Sequence, residues 1–81
     1  MHVRLLAFAS AAQAIGTAAC DWQLPGELSV RELRQRLAVD FPALAPLLPR
    51  LAIAVEGTVA DPAAVVRDGA EIALLPPVSG G

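Results

Sequence analysis

Asp68-Gly69-Ala70-Glu71-Ile72-Ala73-Leu74-Leu75-Pro76-Pro77-Val78-Ser79-Gly80-Gly81 closes the sequence, and its reading decides the fold. Arg67 to Ala70 reads as a turn, and Glu71 to Leu75 alternates as a strand with Ile72 and Leu74 on one face. Pro76-Pro77 ends that strand. Proline fixes φ near the extended polyproline value, so the pair spaces the final residues from the domain. Gly80 and Gly81 have no Cβ and can pass through a slot too narrow for any other residue. Such an ending suits the presentation of a C-terminal carboxylate inside another protein's active site. The plain alternative is a terminus of small residues. Glycine makes up roughly 7% of residues, so a terminal Gly-Gly arises by chance in about one chain in 200. The ending therefore carries weight only on the right scaffold.

The 81 residues suffice for one domain, read as a body over 1–75 and an extended tail over 76–81. Hydrophobic residues make up 56% and charged residues 17%, against roughly 45–50% and 25% in ordinary domains. A chain this short buries only about 60–65% of its unfolded surface. Apolar area is left over for a partner interface, although much of the excess is alanine, which a surface tolerates. Net charge is −2, and all six basic residues are arginine. Arg31, Arg34 and Arg36 lie among Glu32 and Asp40 and read as a solvated helix face, which disfavours nucleic acid and anionic membrane as partners. The single Cys20 excludes an internal disulfide and a cysteine zinc cluster, so a reducing, cytoplasmic setting is expected. No run reaches about 18 apolar residues, so no membrane span is expected.

Upstream, His2 to Phe8 alternates, with Val3, Leu5 and Ala7 inward and His2, Arg4, Leu6 and Phe8 outward. Ser10 to Ile15 forms a short helical turn closed by Gly16, and Thr17 to Leu24 alternates again with Ala18, Cys20, Trp22 and Leu24 on one side, completing a wide hairpin. Ser29-Val30-Arg31-Glu32 fits a capping box. Val30, Leu33 and Leu37 then stripe one helix face, Glu32 and Arg36 pair at i, i+4, and Pro42 stops the helix near Asp40. Pro42 to Pro49 is turn-rich. Leu51 to Val55 reads as a strand, Glu56-Gly57 as a tight turn and Thr58 to Ala60 as a short returning strand. Asp61-Pro62 is expected to cap a single helical turn. One striped helix and one mixed sheet of four to five strands make a two-layer α+β domain. With the first and last strands adjacent and parallel, as in ubiquitin, the helix lies across one face in a β-grasp, and a flexible Gly-Gly tail leaves the end of the last strand.

Phe8-Ala9, Gly16, Val59-Ala60-Asp61 and, above all, the closing Asp68–Gly81 stretch resemble the small subunit of molybdopterin synthase, a sulfur-carrier member of the ubiquitin-like β-grasp proteins. Thiamine-pathway carriers share the Gly-Gly but as a rule lack the Pro-Pro-Val approach. Where family members often carry Arg and Glu in the first loop, this chain has Ala11, Ala12 and Gln13. The resemblance implies that an E1-like enzyme uses ATP to adenylate the Gly81 carboxylate and that a sulfurtransferase supplies sulfur to give a Gly81 thiocarboxylate. The tail then enters the large synthase subunit, in an assembly of two small and two large subunits. There sulfur passes to the cyclic pyranopterin monophosphate precursor of the molybdenum cofactor. On this reading the chain donates sulfur without being catalytic alone and binds no cofactor or metal.

The resemblance makes Gly81 the reacting residue and places Gly80, Ser79, Val78 and Pro77 in the partner's channel. Phe8, Leu6 and Leu75 are the interface candidates, with core packing as the competing role, especially for Leu75. Cys20 falls on the inward side of its strand and reads as a small hydrophobe, not a sulfur relay. His2 has no ligand partners in sequence, and Trp22 reads as core. Two alternatives stay open: a thiocarboxylate carrier for another pathway, such as tRNA thiolation or thiamine, and a ubiquitin-like modifier attached through its carboxylate. The absence of lysine forbids lysine-linked chains of this protein but not single attachment.

Overall fold

The computed structural model describes residues 1–77; the readings for Val78, Ser79, Gly80 and Gly81 lie outside the described residues. Strand β1 (His2–Ala7) leads through helix α1 (Ser10–Ile15) into β2 (Ala19–Gln23). A two-residue strand β3 (Leu28–Ser29) runs directly into helix α2 (Val30–Asp40). Two 3-10 turns (Pro42–Leu44 and Leu48–Arg50) precede β4 (Ala52–Val55) and β5 (Thr58–Val59). Strands β6 (Val65–Val66) and β7 (Glu71–Leu75) complete the body.

Five strands form one mixed sheet in the order β2-β1-β7-β4-β5. The last strand is central, parallel to β1 and antiparallel to β4. This is the ubiquitin-like β-grasp that the alternation at the two chain ends implies. Val3, Leu5 and Ala7 of β1, with Ile72 and Leu74 of β7, are buried against Val30, Leu33 and Leu37 of α2 in one hydrophobic core. Leu44, from the first 3-10 turn, is fully buried in the same core.

Local signals account for the boundaries. Glu32 N–H donates to Ser29 Oγ at 3.1 Å and Ser29 N–H donates to Glu32 Oε1 at 2.9 Å, completing the capping box. Gly16, at φ 84°, closes α1 in the left-handed conformation that glycine tolerates, with its N–H donating to Ala12 O. Glu56 and Gly57 both have positive φ, as a two-residue type I′ hairpin requires between β4 and β5.

Two local expectations need correction, and a third holds in part. Asp61-Pro62 opens one hydrogen-bonded turn, with Ala64 N–H donating to Asp61 O at 2.9 Å, but no helix follows. The Asp61 carboxylate accepts from Ala63 N–H, while the Pro62 and Ala64 carbonyls accept from Arg31 and Val30 at the start of α2. Those carbonyls serve α2, and the segment continues as β6, paired antiparallel with β3 in a small second sheet. Glu32 is held by its cap, so Arg36 pairs instead with Asp40, at 3.2 Å. Arg34 is not on a solvated face: it is half-buried and donates to Leu48 O at 2.8 Å and Leu51 O at 2.6 Å. Its planar fork pins the second 3-10 turn against α2. Trp22 is buried as expected and, in addition, donates from Nε1 to Asp40 Oδ2 at 2.8 Å and stacks edge-on with Phe41.

Candidate functional site

The sheet face turned away from α2 is where the outward residues of β1 meet those of its neighbours. The register places Leu6 opposite Ala19 on β2 and opposite Ala73 on β7. Ala73 lies opposite Ala54 on β4, and Ala54 opposite Val59 on β5. Ala19, Leu6, Ala73, Ala54 and Val59 thus form one apolar row across all five strands. One step toward the tail, Leu75 pairs with Ala52. A sheet with one free face normally alternates apolar-in with polar-out. Here the out positions nearest the tail, Leu75, Ala52 and Phe8, are apolar, with Phe8 49% exposed, and the row ends on edge strand β5 at Val59, 65% exposed.

Polar groups gather at the opposite end of the same face. Arg4 is paired with Asp21 across β1 and β2 and lies opposite Glu71 on β7. Its ion pair with Asp21, at 3.8 Å between largely exposed side chains, is worth little to stability. The two ends of the face therefore differ in character, and the apolar end is the one from which the tail departs.

Phe8 is set at that edge by the backbone. Its N–H donates to Leu74 O at 3.3 Å, carrying the β1–β7 ladder one residue past β1. Ala9 comes next at φ 50°, ψ −125°, the first central position of a type II′ turn closed by Ala11 N–H to Phe8 O at 3.1 Å. A glycine would adopt this conformation freely; an alanine is strained in it. The turn swings the chain into α1 and leaves Phe8 at the rim of the apolar face.

Of the site residues read from sequence, Leu6 and Leu75 are half-buried and Phe8 is exposed, all at the tail end of the domain. Pro76 is half-buried and Pro77 exposed at the tail's root. Ala19, Ala52, Ala73 and Val59 belong to the same surface, with Ala54 in the same row but buried; they are not legible as site residues in sequence, because alanine is neutral by composition and only the strand register aligns them. Cys20 is half-buried opposite core residue Leu5. Among the described residues no helix is long and apolar enough to cross a membrane.

The sequence matches the ThiS family over residues 5–81. No curated protein matches it significantly. Among solved structures, the crystal structure of SAMP1 from Haloferax volcanii superposes with a TM-score of 0.83 at 25% identity, covering 100% of both chains. A protein–protein complex of subunits 1 and 2 of molybdopterin-converting factor from Helicobacter pylori matches with a TM-score of 0.70 at 29% identity, again over 100% of both chains. A putative molybdopterin converting factor subunit 1 from Pyrococcus furiosus has a TM-score of 0.83 at 22% identity, covering 96% of this chain and 99% of that one, and supports the fold alone.

Proposed function

This chain belongs to the ThiS family of ubiquitin-like sulfur carriers, and we propose that it is the sulfur-carrying small subunit of a molybdopterin synthase. The observation that carries the reading is the apolar row Leu6–Ala73–Ala54–Val59 on the sheet face turned away from α2, in which Ala54 is buried and the other three reach the surface, next to Phe8 and Leu75 where the tail leaves β7. A partner seated on that face receives the tail at the same time. The structural likeness to one chain of a two-subunit molybdopterin-converting complex supports a large-subunit partner.

The chemistry rests on the nature of a carboxylate, which is a poor electrophile. An activating enzyme directs a Gly81 carboxylate oxygen onto the α-phosphorus of ATP, releasing pyrophosphate and leaving an acyl adenylate. A persulfide sulfur on a sulfurtransferase attacks the acyl carbon and expels AMP, giving an acyl disulfide. A second thiol then cleaves the S–S bond, forming a disulfide with the donor cysteine and leaving the Gly81 thiocarboxylate. In the large subunit the thiocarboxylate sulfur bonds to the cyclic pyranopterin monophosphate, and water then cleaves the resulting acyl–sulfur bond, which leaves sulfur on the precursor and returns the Gly81 carboxylate for another cycle. The small chain contributes a rigid β-grasp, a docking face and the sulfur; the acids, bases and phosphate-binding cations belong to its partners. Such a carrier works in the cytoplasm. The test is reconstitution with activating enzyme, ATP, a sulfur source, the cognate large subunit and precursor: the reading expects dithiolene formation that consumes the thiocarboxylate.

A second reading, a protein modifier joined to targets through Gly81, is favoured by the likeness to small archaeal modifier protein 1 from Haloferax volcanii, with a TM-score of 0.81 at 25% identity. Covalent conjugates in extracts of the native cells, lost on deletion of Gly81, would select it.

A further inference from the structure

We propose that a cleft at the root of the tail, beside the apolar face, receives an acidic side chain of the protein that takes up the tail, and that Arg50 holds it. The proposal rests on the carrier reading and adds a chemical requirement on the partner. The cleft, about 230 Å³, is lined by Ser10, Leu47, Arg50, Leu51, Pro76 and Pro77. Four of these walls are aliphatic, one offers a hydroxyl, and one is a cation. That set fits an aliphatic stem ending in a carboxylate, because the apolar walls match the stem and the guanidinium matches the carboxylate.

Charge distribution singles out Arg50. Residues 5–20 and 72–81 contain no charged side chain, and residues 41–55 contain only Arg50. The segments that converge on the tail's root thus carry a single charged side chain. Arg50 is exposed, and among the described residues it has no ion-pair partner. Its backbone is well fixed. It ends the second 3-10 turn, its N–H donates to Leu47 O at 2.9 Å, and the carbonyls of Leu48 and Leu51 on either side accept from Arg34. A protein that covers the apolar face and threads the tail also covers this cleft and strips water from the guanidinium. That is unfavourable unless an acceptor replaces the water. A carboxylate does so with two parallel hydrogen bonds, in the geometry that the guanidinium fork presets.

The experiment measures binding of the full-length chain to its cognate large subunit by calorimetry, for wild type, Arg50→Glu, Arg50→Lys and Phe8→Ala. The proposal expects Arg50→Glu to weaken binding about 30-fold or more, with Arg50→Lys intermediate. It also expects one Asp→Arg or Glu→Arg substitution in the large subunit to restore binding to Arg50→Glu. Unchanged melting temperature shows that the exposed substitution leaves the fold intact. If Arg50→Glu binds within about twofold of wild type while Phe8→Ala binds weakly, the cleft proposal falls and the sheet-face reading stands. If Arg50→Glu binds weakly and no reversal in the partner rescues it, the occupant is not a partner's acid and the cleft proposal falls. If the wild-type chain does not bind the large subunit at all, the carrier reading falls and takes this inference with it.

Discussion

Leu6 and Ala73 sit opposite one another in the parallel β1–β7 pairing, both on the sheet face turned away from α2. This joins an outward position near the start of the chain to one near its end, at the centre of the sheet. Because β7 lies between β1 and β4, the same register brings Ala54 and then Val59 into line. The docking face is therefore a product of topology: five short strands, drawn from both ends and the middle of the chain, contribute one or two apolar residues each on the face from which the tail leaves.

Phe8→Ala is expected to separate docking from folding. Phe8 is 49% exposed, so its truncation should cost the isolated domain less than about 1 kcal/mol. An aromatic anchor at an interface is worth about 2 kcal/mol, or roughly 30-fold in Kd. Thermal unfolding and calorimetric titration with the large subunit check the pair of values. Equal losses in both would place Phe8 in the core.

Ala9→Gly should raise stability. At φ 50° and ψ −125° the alanine methyl opposes the turn, a strain of about 1–3 kcal/mol. Glycine releases it but adds about 0.4–1 kcal/mol of unfolded-chain entropy. The net expectation is a gain of about 1 kcal/mol, or roughly 4–8 °C in melting temperature for a domain this size. A fall in melting temperature would contradict the strained turn.

Glu32 gives a pH-dependent contribution. The Ser29 backbone N–H, and secondarily the Ser29 side chain, hold its carboxyl below the ordinary value of 4.5. A carboxylate whose folded pKa is depressed stabilises the fold above its unfolded pKa, and the stabilisation is lost as pH falls through the folded value. Denaturation between about pH 6 and pH 2 should therefore show a loss beginning below about pH 4.5 that Glu32→Gln flattens. Identical pH profiles for the two proteins would contradict the contribution of the cap.

Deleting Gly81 should abolish sulfur transfer while leaving the melting temperature unchanged, since the β-grasp is complete by Leu75. Activity assays and calorimetry read the two effects separately. A large drop in melting temperature would show that the terminus is part of the folded body.

Much of the fold is legible in sequence because its signals are local. The Ser29/Glu32 cap, the Val30-Leu33-Leu37 stripe and the alternation of β1 and β7 each declare themselves within a few residues. The β3–β6 pair is hidden because two-residue strands have no period to detect, and Asp61-Pro62 resembles a helix start until its neighbouring carbonyls are seen capping α2. Arg34 misleads for a similar reason: its acceptors, Leu48 O and Leu51 O, are backbone atoms 14 and 17 residues away. At the site, Leu6, Phe8 and Leu75 stand out as large apolar residues at outward positions. Ala73 and Ala54 do not, because a small residue gains meaning only from what the sheet places beside it.

The central claim is that Gly81 carries sulfur, and the intact mass of the protein purified from its own cells tests it most directly. The account predicts a population in which one C-terminal oxygen is replaced by sulfur, discharged on addition of the large subunit and precursor. Only the unmodified carboxylate, even after incubation with activating enzyme, ATP and a sulfur donor, would contradict it.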